Sequence, residues 1–203
     1  MYISMSHAGT EDKFIKTLFP LNMHNLKVLD VGCGYGETGL YIRTRTYKRG
    51  WCQLEGIEIF PEYYDLQMRM GIYNDLYLGD ASNMSHIQDN NYDLSIAQQV
   101  IEHLDKEHGK KLLREMERVT KQRVIICTPH GYTESGPLDD NEHNNHLSGW
   151  YPYDFIPLGY STKIVAKNVN SRLLQMFAKT VFTLQGKTWD NEVLVAWKDL
   201  EKS

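Results

Sequence analysis

Cysteine is scarce in this sequence: Cys33, Cys52 and Cys127 are the whole set. An odd number without zinc-type spacing excludes a disulfide framework, and reduced thiols in a cytoplasmic protein are the expectation. No apolar run approaches the length of a membrane span, and residues 1–10 lack the charged-then-apolar order of a signal peptide. No membrane partner is expected. Basic blocks are missing too: 22 Lys and Arg stand against 26 Asp and Glu, a net charge of −4. That balance argues against a partner held mainly by phosphate contacts, so nucleic acid is not favoured. A basic groove would need Lys163, Lys167, Arg172, Lys179 and Lys187 to share a face. Repeats, low-complexity stretches and linkers are also absent. The 203 residues therefore read as one domain, with a core over about 24–130 and an acceptor-side and edge-strand region over about 131–203.

What is present is an alternation of strand-like and helix-like segments. Leu26–Val31 reads as a buried strand, Gly32–Gly36 as a turn, and Glu37–Thr46 as a helix. Gln53–Ile59 is a second strand, and Pro61 opens a helix with Tyr63, Leu66 and Met70 on one face. Leu76–Leu78 and Tyr92–Ala97 follow as strands. Asp105 caps a helix running to Val119 with the stripe Leu112, Leu113, Met116 and Val119, and Arg123–Cys127 is a fifth strand. Such alternation predicts a parallel sheet covered on both faces. After Pro129 the texture becomes polar and aromatic. Thr162–Ala166 and Glu192–Trp197 read as a late antiparallel pair at the sheet edge, separated by a helix candidate over Ser171–Phe182. That apolar segment is either core or a dimer surface, so monomer and homodimer both stay open.

Ligands of an open parallel sheet collect at the carboxyl ends of its strands. The first strand ends in Asp30, and the turn Asp30-Val31-Gly32-Cys33-Gly34-Tyr35-Gly36 has the backbone freedom and the following helix N-terminus that a carboxylate needs. Glu58, rather than Glu55, alternates with Ile57 and Ile59, both expected to be buried, and ends the second strand as an acceptor for two ribose hydroxyls. Asp80-Ala81 ends the third, where a carboxylate can accept from an exocyclic amine. Gly34 to Gly39 also fits the G-x-G-x-x-G dinucleotide pattern. Against that reading stand Asp30, which would repel a pyrophosphate, the third acid at Asp80, and the shortage of chain for a substrate domain.

Val28 to Gly36 resembles the first motif of class I S-adenosylmethionine (SAM)-dependent methyltransferases. Gly56 to Phe60, Gly79 to Ala81, and Tyr92-Asp93-Leu94 through Val100 to Leu104 resemble that family's next motifs, in order, over about residues 24–130. The resemblance implies an α/β, Rossmann-like, seven-stranded and mostly parallel sheet with an antiparallel last strand and helices on both faces. It also implies SAM as cofactor, with contacts at Asp30, Gly32, Cys33, Gly34, Gly36, Glu58, Ile59, Asp80, Ala81 and Gln98. The Asp30 to Glu58 spacing is long for the family, so 45–50 reads as an insertion.

The acceptor side is less defined. Methyl transfer is an in-line displacement that needs a base only if the acceptor loses a proton. Many relatives carry an acid where this chain has Gln99. Asn145 to Trp150 resembles an acceptor-side loop of several small members, making His146 the candidate base; a histidine that only bonds the loop backbone is the plainer alternative. Trp150, Tyr151 and Tyr153 are an acceptor pocket or the packing of a short helix, and His103 reads as a helix-start packing residue. Glu102, His103 and His143 or His146 resemble part of the metal site of small-RNA 2′-O-methyltransferases, but Gln99 replaces its first acid. No metal is therefore expected. The expected function is methyl transfer to the oxygen or nitrogen of a small molecule or sugar, with RNA or protein methylation or a non-catalytic SAM-binding subunit as alternatives.

Overall fold

The computed structural model describes residues 10–137, 139–166 and 192–200. Its strands are β1 (Lys27–Val31), β2 (Gln53–Glu58), β3 (Asp75–Leu78), β4 (Tyr92–Gln98), β5 (Thr120–Pro129), β6 (Ser161–Ala166) and β7 (Glu192–Asp199). They form one seven-stranded sheet in the order β3-β2-β1-β4-β5-β7-β6. The first five run parallel, and β7 lies antiparallel between β5 and β6. The expected late antiparallel pair at the edge is present.

Period-two alternation divides the strands between two cores. Leu29, Val31, Val124, Ile126 and Leu194 pack with α4 (Lys106–Val119), Trp150 and Phe155 on one face. Val28, Ile125, Cys127, Val193 and Val195 pack with α1 (Thr10–Leu18) and Ile42 of α2 (Glu37–Arg45) on the other. Asp105 caps α4 by accepting from the His108 N–H. Leu112, Leu113, Met116 and Val119 are all buried beneath it.

Two elements depart from the sequence pattern. Helix α1 is absent from it, although Ile15, Leu18 and Phe19 are buried and Arg49 bonds the carbonyls of Lys16 and Phe19. In α3 (Pro61–Met70) the buried residues are Tyr63 and Gln67, whereas Met70 is half exposed. Gln67 is inside because its amide donates to the Gly34 carbonyl at 3.0 Å. The candidate helix over Ser171–Phe182 lies outside the described residues, as do Lys167, Arg172, Lys179 and Lys187.

Strand order reverses between β1 and β4, so the crevice of this sheet opens beyond their carboxyl ends. Both the glycine turn and Gln99 lie there.

Candidate active site

The turn after β1 holds its shape through backbone bonds. Gly32 and Cys33 donate to the Ile57 carbonyl at 2.9 and 3.2 Å, and Gly36 donates to the Cys33 carbonyl at 2.7 Å. Gly32 has φ 67° and Gly34 φ 46°, left-handed values that disfavour a side chain. A Cβ on Gly32 would also come within 2.6 Å of Val100 Cγ2, whereas one on Gly34 would meet nothing within 4 Å. Gly34 is thus bare backbone on the cleft wall.

Three acids stand at three strand ends in different settings. Glu58 lies on the cleft wall and accepts from the N–H groups of Gly34 (2.7 Å), Ile59 (2.9 Å) and Phe60 (2.9 Å). Asp80 is also on the wall, exposed, and folded into a local turn by the Ser82 N–H at 2.7 Å. Asp30 lies beneath the glycine turn, 1% exposed, with Oδ2 accepting from the Tyr73 hydroxyl at 2.6 Å. Burial pushes its carboxyl up to about 7; the Tyr73 bond opposes this and neighbouring Glu58 adds to it. Glu55 is equally buried but serves structure, accepting from the Tyr92 hydroxyl at 2.7 Å and pairing with Lys27 at 3.1 Å.

The opposite wall is made by Gln99, Val100, His103, Leu104, Asn141, His143 and Asn144. Gln99 sits at φ 56° just past β4, anchored by its N–H on the Cys127 carbonyl at 2.8 Å. His103 Nδ1 lies 3.2 Å from the Asn145 carbonyl. A carbonyl only accepts, so Nδ1 carries the proton and the neutral ring keeps its lone pair on Nε2. Burial, and then the neighbouring His146, push His103 down to about 4. The ring is therefore neutral at neutral pH. His146 stands edge-on to it at 4.8 Å, with Nδ1 2.7 Å from the Thr133 carbonyl.

Of the cofactor residues expected from the sequence, Gly32, Gly34, Glu58, Ile59, Asp80 and Ala81 lie together on the cleft. Ile59, expected to be buried, is 38% exposed because it belongs to this wall. Asp30, Cys33, Gly36 and Gln98 do not line the cleft. Cys33 is buried and its thiol is pushed up by that burial. A Cβ on Gly36 would strike Gln67 at 2.2 Å, and Gln98 accepts from Thr38 at 3.2 Å. His146 is behind His103 rather than on the wall. Trp150 is a packing residue: it is 1% exposed, with its indole donating to Ser148 at 2.8 Å.

Tyr63, Asn141, His143 and Asn144 are wall residues that the sequence does not mark for the cofactor. Tyr63 carries the signal of an apolar stripe, His143 is marked only through the metal-site resemblance, and Asn141 and Asn144 sit in aperiodic chain that gives none.

Glu102, His103 and His146 converge, with one candidate ligand atom from each lying within 4.8 Å of the others. Glu102 is 1% exposed and accepts from Thr128 at 2.9 Å. Among the described residues, no helix is long and apolar enough to cross a membrane.

Comparison with known proteins places this geometry. The methyltransferase-domain family matches residues 29–128. Ajmaline N-methyltransferase from Rauvolfia serpentina is 34% identical over 122 residues, which is 56% of this chain. The chain spans 39% of that curated relative's length. A SAM-dependent methyltransferase from Archaeoglobus fulgidus superposes with a TM-score of 0.59 at 16% identity, over 94% of this chain and 93% of its own. The cyclase SpnF superposes with a TM-score of 0.61 at 14% identity, over 95% of this chain and 82% of its own. At these identities the solved structures share the fold alone. The family match lies on β1 to β5, with the glycine turn at the switch point of the sheet, so residues 29–128 are identified with the methyltransferase-domain family.

Proposed function

We propose that this chain transfers the methyl group of SAM to a nitrogen or oxygen of a small molecule bound in the same cleft. The observation that carries the reading is the lining. Gly34 offers bare backbone with space above it, and Glu58 and Asp80 supply carboxylates at successive strand ends. Among the described residues no Lys or Arg lines the cleft, which fits a small acceptor better than a phosphate backbone. The named activity of the Rauvolfia relative, an N-methyltransferase, supports the same class of acceptor.

Bound SAM supplies an electrophilic methyl on a sulfonium. The residues of this chain do the rest by positioning. Glu58 takes the ribose hydroxyls and Asp80 with Ala81 takes the adenine edge, while Asp30 stays buried beneath the glycine turn and accepts from the Tyr73 hydroxyl. Cys33, Gly36 and Gln98 support that turn from behind, without facing the cleft. On the acceptor side His103, backed by His146, accepts the proton of an N–H or O–H through Nε2. A ring held neutral adds no positive charge beside the sulfonium.

The test is labelled transfer from SAM to panels of small amines, phenols and sugars, alongside RNA and protein. Transfer confined to polymers would overturn the acceptor assignment. A second reading, polymer methylation assisted by a divalent ion, draws on the convergence of Glu102, His103 and His146. Gln99 weakens it, because a neutral amide is a poorer ligand than a carboxylate. Transfer abolished by chelation and restored by a divalent cation would favour it.

A further inference from the structure

Three elements around the cleft meet at one hydroxyl. The Tyr63 hydroxyl, on α3, donates to Asp139 Oδ2 at 3.1 Å and accepts from Asn144 Nδ2 at 3.2 Å. It also lies 3.3 Å from the hydroxyl of Tyr35 in the glycine turn. A phenol has one proton and two lone pairs. Its single proton is directed at Asp139 and Tyr35, and a lone pair takes the Asn144 amide.

The ring is fixed as well. It is 7% exposed and packs on Tyr35 at 4.6 Å and Phe60 at 4.9 Å. What it holds is a short segment with one 3-10 turn of its own at Glu142–Asn144. Asp139 and Asp140 both sit at φ 56°, a left-handed conformation that costs a side-chain-bearing residue about 1 kcal/mol. The segment 139–145 nevertheless gives the cleft Asn141, His143 and Asn144. Its far end accepts from His103 through the Asn145 carbonyl. The segment therefore spans from the cofactor wall at Tyr63 to the acceptor wall at His103.

We propose that Tyr63 is a positioning residue that locks segment 139–145 onto the cofactor cleft and thereby sets how fast the cofactor leaves. The kinetic half rests on the cofactor reading above; the lock itself does not. Tyr63→Phe keeps the ring and its packing and removes only the hydroxyl. The Asn144 and Asn145 amides donate to the Asn141 and Glu142 carbonyls at 3.1 and 3.2 Å, so they report on the segment directly.

In ligand-free Tyr63→Phe, hydrogen exchange at these amides should be about tenfold faster than in the wild-type chain, with the amides of α4 unchanged. Asn144→Ala, which removes one of the three bonds, should give a smaller acceleration in the same place. S-adenosylhomocysteine, followed by stopped flow, should leave Tyr63→Phe about tenfold faster as well. Exchange within twofold of wild type in both variants would overturn the lock. Faster exchange with an unchanged dissociation rate would overturn its control of release. A wild-type chain that fails to bind S-adenosylhomocysteine would overturn the cofactor reading, and the exchange result would still decide the lock.

Discussion

The two walls of the cleft are built by different means. The cofactor wall is made of residues at or just past strand ends: Gly32 and Gly34 after β1, Glu58 at the end of β2, and Asp80 just past β3. The sheet fixes where they stand. The opposite wall combines 99–104, just past β4, with 139–145, a segment that pairs with no strand and is tied to its surroundings by side-chain bonds from Tyr63 and His103. A wall of the first kind tolerates change in its side chains but not in its backbone. A wall of the second kind can be displaced by the loss of one hydroxyl or imidazole.

The contrast is broken most severely at Gly34. Gly34→Val places a branched side chain at φ 46° in open cleft space, so SAM affinity should fall by about 100-fold, equivalent to about 3 kcal/mol. Isothermal titration of the folded variant reads this, and near-native affinity would show that the turn does not face the cofactor. On the other wall, His103→Ala should lower kcat by about 100-fold while leaving the SAM dissociation constant within about twofold. His146→Ala should cost less, because His146 acts through His103. An equal loss at His146 with none at His103 would reverse their roles.

Glu58→Gln is a milder cut. Backbone N–H groups occupy both carboxylate oxygens, so the amide can keep the bonds to only one of them and also loses the charge, and SAM should bind roughly tenfold more weakly. Unchanged affinity in titration would remove Glu58 from the site.

A pH-dependent effect concerns Asp30. Its folded carboxyl is raised from 3.8 to about 7, so its contribution to stability is complete below pH 4 and is lost as pH rises towards 7. An asparagine amide in its place cannot titrate. In thermal melts of the ligand-free chain, wild-type stability relative to Asp30→Asn should therefore fall across that window. His103, depressed to about 4, adds stability above its ordinary range that is lost as pH falls towards 4; it is common to both chains and cancels. A flat difference would mean that Asp30 is already ionised in the folded chain.

How much was legible in the sequence follows the same division. Period-two strands, the Asp105 cap and the α4 stripe are local patterns, and the glycine turn with its three acids could be read with them. The misplacements have physical causes. Met70 fits a helical stripe, but Gln67 took the inner position to bind the Gly34 carbonyl. Ile59 fits a buried alternation, but β2 ends at Glu58 and the next residue turns into the cleft. Trp150 sits among acceptor-loop residues in the sequence, yet its indole finds Ser148 and the Ile101 carbonyl inside the core. Tyr63 fits an apolar stripe, and nothing nearby in sequence announces Asp139 or Asn144, some 76 and 81 residues away. Contacts of that range carry no periodicity.

The most direct test of the central claim, that the glycine turn, Glu58 and Asp80 form a SAM site, is a thermal melt of the wild-type chain with SAM. At about 100 times the dissociation constant, binding to the native state adds roughly 2.7 kcal/mol, which should raise Tm by about 5–10 °C, and Gly34→Val should abolish the shift. No shift in the wild-type chain at saturating SAM would contradict the account.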